Sequence, residues 1–117
     1  MSNIFFYIDK YGKSEVLDYM TSLQKNKDKN SRIKSNKIIA YINMLEKHGL
    51  KIGQPYIKHL KDEIWELRPL RDRILFAHYE NNTFVLLSVF LKQTQKTPKN
   101  EIDKAERLLN DFKKRSW

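Results

Sequence analysis

The sequence predicts an α+β fold: a small antiparallel sheet with helices packed on one face, in the order strand, helix, helix, strand, strand, strand, helix. Three observations predict it. Apolar residues recur at helical spacing in three separate stretches, and three consecutive runs within residues 64–92 are short and rich in β-branched and aromatic residues. The joints between those runs carry turn-forming residues. A chain of 117 residues can build one hydrophobic core but not two, so a single domain over residues 1–117 is expected.

The apolar run at residues 4–8 ends at Tyr11-Gly12 and predicts a short first strand. Ser14 is placed to cap a helix whose stripe is Val16, Leu17, Met20 and Leu23 and which runs to about Asn26. Residues 25–31 form a polar, basic turn. From Ser31, the stripe Ile38, Tyr41, Ile42 and Leu45 predicts a second helix, ended by the cationic turn and glycine of Lys47-His48-Gly49. Residues 50–62 contain Gly53 and Pro55 and are expected to be mostly loop.

Strands are expected over residues 64–68, 73–80 and 83–92, joined by Pro69-Leu70-Arg71-Asp72 and by a two-residue Asn81-Asn82 turn. Thr97-Pro98 then supplies a capping residue and a first-turn proline for a last helix with Ile102, Ala105, Leu108, Leu109 and Phe112 on one face.

Lysine and arginine outnumber aspartate and glutamate 23 to 14, a net charge of +9. The acids are missing between Lys47 and Lys61 and again between Asn81 and Asn100, so the excess is clustered and suits a polyanionic partner. The longest apolar run, residues 84–91, is broken by Ser88 and falls well short of the roughly 20 residues a spanning helix needs. No membrane partner is expected. Nor is a secretory leader, because Asp9 and Lys10 interrupt the N-terminal apolar run. The absence of cysteine excludes disulfide and thiolate chemistry and makes a cytoplasmic location the expectation. Acidic residues and histidines show no ligand spacing, and there is no glycine-rich phosphate loop, so neither a metal nor another cofactor is expected.

Strand parity sorts the sheet. Pairing Glu80 with Thr83 across the turn sets Ala77 against Leu86, Leu75 against Ser88 and Arg73 against Phe90; pairing Arg68 with Arg73 sets Glu66 against Leu75. One face then collects Trp65, Leu67, Ile74, Phe76, Val85, Leu87, Val89 and Leu91, an apolar bed for helices. The other collects Glu66, Arg68, Arg73, Tyr79, Ser88, Phe90 and Lys92.

Two arginines directly opposite one another repel, and a bound anion, a nearby carboxylate such as Glu66, or splaying of both side chains into water relieves the repulsion. Arginine suits an anion site because its planar fork grips phosphate through paired hydrogen bonds. Phe90 stands beside the pair and is a candidate to stack a base, or else a core side chain. On this reading Arg73 is a solvent-facing cation whose truncation to alanine spares the fold.

Lys92, Thr94, Lys96 and Thr97 lead from the same face into the last helix, whose free amides favour phosphate. His78 falls on the helix-packed face and His48 at a helix end. His59, between Lys58 and Lys61, is the histidine placed to act as acid or base near neutral pH.

The strings Ile64-Trp65-Glu66-Leu67-Arg68, Arg73-Ile74-Leu75-Phe76, Phe84-Val85-Leu86-Leu87 and Lys92-Gln93-Thr94-Gln95-Lys96-Thr97-Pro98 resemble the signature of phage-derived, HigB-type toxins of the RelE/ParE superfamily. The likeness covers nearly the whole chain. It implies a RelE-like fold and the toxin of a type II toxin–antitoxin system: a ribosome-dependent endoribonuclease that cuts mRNA without a metal ion. It further implies two partners, the ribosome with its mRNA and a helix-turn-helix, HigA-like antitoxin. Carried over by position, Arg68 and Arg73 match the family's sheet arginines, and Lys92 with Lys96 the basic residues at the end of the last strand. Arg68, Arg73 and Lys92 are thus the expected catalytic residues, and Lys58, His59, Lys61, Phe90, Thr94 and Lys96 the expected RNA contacts. The acid or base that some members carry near the C-terminus has no clear counterpart, which leaves Lys92, Lys58 and His59 as candidates for proton transfer. The same superfamily offers an alternative, a ParE-like toxin that inhibits DNA gyrase and cleaves nothing.

Overall fold

Local capping chemistry sets the two N-terminal helices, as seen in the computed structural model, which describes residues 2–115. The Ser14 hydroxyl accepts the Leu17 N–H at 3.2 Å and starts α1 (Glu15–Lys25). The Asp28 carboxylate accepts the Ser31 N–H at 2.8 Å and starts α2 (Lys29–His48), so the basic turn between the helices is shorter than the sequence suggests. Gly49, at φ 63°, ends α2 in a conformation that costs glycine little.

The strands are β1 (Asn3–Phe6), β2 (Ile57–Lys61), β3 (Ile64–Leu67), β4 (Asp72–Tyr79) and β5 (Thr83–Leu91), and α3 (Lys99–Lys114) closes the chain order. They form one sheet in the order β1-β5-β4-β3-β2. The α+β class and the antiparallel β3-β4-β5 meander match expectation.

Three details do not. The sheet is mixed, because β1 pairs parallel with β5 in the register Asn3 with Thr83 through Phe6 with Leu86. A fifth strand, β2, stands where loop was expected. It lies at the sheet edge with Lys58, His59 and Lys61 exposed, so its sequence lacks the apolar alternation of an inner strand.

Third, the helices are not confined to one face. Val16 and Leu23 of α1 and Ile38 and Leu45 of α2 pack with Ile57, Leu67, Ile74, Phe76, Phe84 and Leu86 on one side. Ala105, Leu109 and Phe112 of α3 pack with Ile64, Leu75, Ala77, Val85 and Leu87 on the other. Burial on both faces explains why residues 74–77 and 84–87 are continuously apolar rather than alternating. Each such leucine or phenylalanine removed from water contributes about 1.5–3 kcal/mol.

The β4–β5 register differs from expectation near the turn and agrees beyond it. The loop is one residue longer than expected: Tyr79 pairs with Thr83, and Glu80, Asn81 and Asn82 all take positive φ. The register then shifts between Leu75 and Phe76, where Leu87 is the extra residue on β5. Val85 and Leu87 consequently face α3 rather than the α1/α2 side, and Ala77 meets Val85, not Leu86. The two offsets cancel, so Leu75 opposes Ser88 and Arg73 opposes Phe90 as expected.

Candidate functional site

The polar row occupies the end of the sheet that the α3 core residues do not cover. Its centre is Glu66, a carboxylate only 1% exposed. Oε1 of Glu66 accepts the Arg68 Nε–H at 2.9 Å and lies 3.8 Å from Arg73 Nε, while Oε2 accepts the Thr97 hydroxyl at 2.6 Å. The end of β3, the start of β4 and the connector before α3 are thereby tied to one buried anion. The repulsion between the two arginines is thus partly offset within the protein, by the carboxylate that the sequence offered as the alternative to a bound anion, and one positive charge is left over.

Arg73 is not the solvent-facing cation that was expected. It is 7% exposed, and its Nη1 donates to the Leu70 and Asp72 carbonyls, each at 2.9 Å. Burial pulls its guanidinium below the ordinary arginine value, with Arg68 and Arg71 pulling the same way and Glu66 and Asp72 opposing them. It remains a cation at any working pH. Truncation to alanine would strip two carbonyls of a donor and Glu66 of a nearby charge, so a loss of stability is expected in place of a spared fold.

The connector 92–98 covers this group. The cavity between it and Glu66, Arg73 and Phe90 holds about 10 Å³, room for roughly one water. Arg71 fixes the connector's start, donating from Nη2 to the Lys92 carbonyl at 2.8 Å and accepting the Lys92 N–H on its own carbonyl at 2.8 Å. Thr97 does not cap α3; Pro98 holds the N-cap position with no side-chain bond, and the Thr97 hydroxyl goes to Glu66 instead.

The family model for Phage derived protein Gp49-like (DUF891) matches residues 18–110. The chain belongs to this family. Gp49-like proteins are RelE/HigB-like toxins, and the family suggests a function of the toxin–antitoxin kind. An antitoxin partner is implied in turn. No curated protein matches the sequence.

In this Gp49-like chain the expected site residues separate into three groups. Arg68, Arg73, Phe90, Lys92, Thr94 and Lys96 are brought together at one end of the α3 face, with Phe90 half-buried against the core rather than free to one side. Lys58 joins them as the exposed cross-strand neighbour of Glu66. Lys61 shares the face but turns to α3, with its Nζ 3.3 Å from Glu106 Oε1.

His59 is on the opposite face. It pairs with Trp65, rests 4.9 Å from that ring and bonds through Nε2 with the Asp62 carbonyl at 2.7 Å. His78 sits on the α1/α2 face as expected and stacks on Phe84 at 5.0 Å.

Sequence reasoning missed the charge cluster behind Arg73. Asp72, 1% exposed, accepts the Tyr19 hydroxyl at 2.6 Å on Oδ1 and lies 3.4 Å from Lys34 Nζ, and its Oδ2 is buried without a partner. Burial, then the bond to Asp72, pushes the Tyr19 phenol up; the bond to Tyr19 and the Asp72 charge push the Lys34 ammonium up against its burial. Tyr19, Lys34 and Asp72 come from three different elements, and no local pattern announces their meeting. Among the described residues no helix is long and apolar enough to cross a membrane, and no three His, Asp or Glu side chains converge as metal ligands.

Proposed function

We propose that this chain is a HigB-type, ribosome-dependent endoribonuclease that cuts mRNA in the cytoplasm, needs no metal ion, and is silenced by a HigA-like antitoxin. The observation that carries the reading is the convergence of Arg68, Lys92 and Lys96 around the buried Glu66–Arg73 pair at the end of the sheet that the connector 92–98 covers. Cations held in a fixed frame stabilise the extra negative charge that develops when a ribose 2′-hydroxyl attacks the adjacent phosphate.

In this proposal Arg68, Lys92 and Lys96 touch the phosphate. Arg73 is a positioning residue, because the connector covers it, its Nη1 serves the Leu70 and Asp72 carbonyls, and its charge faces Glu66. Lys58 and Lys92 are better placed than His59 to move protons, since His59 lies across the sheet. Glu66 holds its frame rather than exchanging protons, with one oxygen on Arg68 and the other on Thr97.

Purified protein incubated with mRNA-programmed ribosomes tests this. The expected result is cleavage within the ribosome-bound message that survives EDTA at levels the ribosomes tolerate and is weakened steeply by salt as phosphate contacts release counterions. Growth arrest with intact mRNA and blocked gyrase would establish the ParE-like alternative instead.

A further inference from the structure

Behind the site, the turn between β3 and β4 carries an anomaly. Leu70 takes φ 59°, a left-handed conformation that glycine or asparagine fills at lower cost, and it leaves its side chain 47% exposed. The backbone has a reason for that conformation, since the Leu70 carbonyl is aimed at Arg73. A leucine side chain has none. It stands beside Leu91, another apolar side chain 45% exposed, and the two share a cleft of about 420 Å³ with Asn30, Lys34 and Arg71. That volume lies in the range of roughly 300–1,000 Å³ typical of ligand sites.

Both polar rim charges are positive and no carboxylate lines the cleft. The nearest acid in sequence, Asp72, is buried and committed to Tyr19 and Lys34. We infer that the Leu70–Leu91 cleft is the docking surface for an acidic peptide segment that inserts apolar side chains between the two leucines and sets its carboxylates against the exposed Arg71. Exposed leucines offer nothing to a phosphate backbone, whereas apolar anchors ringed by complementary charge are the usual form of a protein hot spot.

The inference deepens the function proposed above and rests on its antitoxin, which supplies the segment. Its place in the fold also gives it leverage. Leu70 and Arg71 are the residues whose backbone and side chain hold Arg73 and Lys92, so a partner seated there grips the frame of the site from behind.

The test uses the full-length protein with its cognate antitoxin. Leu91→Ser removes one wall of the cleft, and Asn30→Glu, on the α2 rim, sets a negative charge against the incoming carboxylates. Both variants should melt near wild type and still arrest growth when expressed alone. Each should bind the antitoxin at least about 10-fold more weakly by calorimetry, as loss of a buried anchor or an opposed like charge does, and antitoxin co-expression should no longer restore growth. Unchanged affinity in the double variant overturns the inference. So does loss of growth arrest with antitoxin binding intact, which would give the cleft to the toxin's target, RNA or protein. A wild-type protein that binds no antitoxin removes the partner itself and the inference with it, a result the cleft variants cannot mimic.

Discussion

Asp72 and Arg73 are neighbours on β4 that point to opposite faces of the sheet, and each is a buried charge solved differently. Asp72 is enclosed by helices: Tyr19 comes from α1 and Lys34 from α2, and one carboxylate oxygen is left without a partner. Arg73 is enclosed by turns and a connector, its charge set against Glu66, which it shares with Arg68 and Thr97. The helical side locks the fold. The other side ties a buried ion pair to an exposed, lysine-bearing segment, so that what stabilises the chain also places its surface cations.

The largest effect should be on activity. Among the described residues the Lys92 and Lys96 ammonium groups have no hydrogen-bond or ion-pair partner, so truncating either to alanine removes charge without disturbing the Glu66 network. We expect cleavage of ribosome-bound mRNA to fall by roughly 100-fold or more for Lys92→Ala, with an unchanged melting curve. A drop in stability of similar weight would mean that the connector is part of the core and that the contrast is false.

Next is Glu66→Ala, which strands the Arg73 guanidinium in the interior. Removing one partner of a buried pair costs about 3–5 kcal/mol, to be read from urea denaturation, and Glu66→Gln should recover part of it by keeping the acceptor for Arg68. Asp72→Ala should cost less, about 1–3 kcal/mol, because Lys34 keeps a side-chain exposure of 21% and returns to water. Toxicity of the surviving folded fraction should persist for Asp72→Ala and vanish for Glu66→Ala. Equal costs for the two would erase the distinction between the faces.

The smallest effect is in alkali. Tyr19 and Lys34 both have raised pKa values in the fold. Their contribution to stability is therefore complete below the ordinary values of about 10 and is lost as pH rises through the raised ones. Tyrosinate absorbance should show Tyr19, identified by its loss in Tyr19→Phe, ionising above the ordinary tyrosine value, and Tyr19→Phe should flatten the fall of stability above pH of about 10. If Tyr19 ionises at or below that value, the Tyr19–Asp72 bond does not hold in solution.

Much of this architecture was legible in the sequence. Helical stripes, the Ser14 cap, the Gly49 stop and the three meander strands follow from periodicity and turn chemistry, which act over a few residues. So did the Arg73–Phe90 pairing, although by two compensating offsets, the longer loop at Glu80–Asn82 and the extra residue Leu87. One signal for a two-faced core was present. Leu75 and Ala77 share the parity of Arg73, and apolar residues on a supposedly polar face ask for a helix to cover them.

What the sequence determined by itself is therefore what short-range physics decides: which segments are helix or strand, where charge accumulates, and that arginines and lysines gather near the ends of β3, β4 and β5. Tertiary structure alone decided that β1 joins in parallel, that β2 completes the edge, and that α3 takes the second face. It also decided which cation is buried. Arg68 and Arg73 share one face of the sheet, yet the exposure of each depends on Leu70, Thr97 and the connector that Glu66 draws in, residues brought together only when the chain closes. Burial is a property of the enclosing neighbours, and a side chain's own identity carries no record of them.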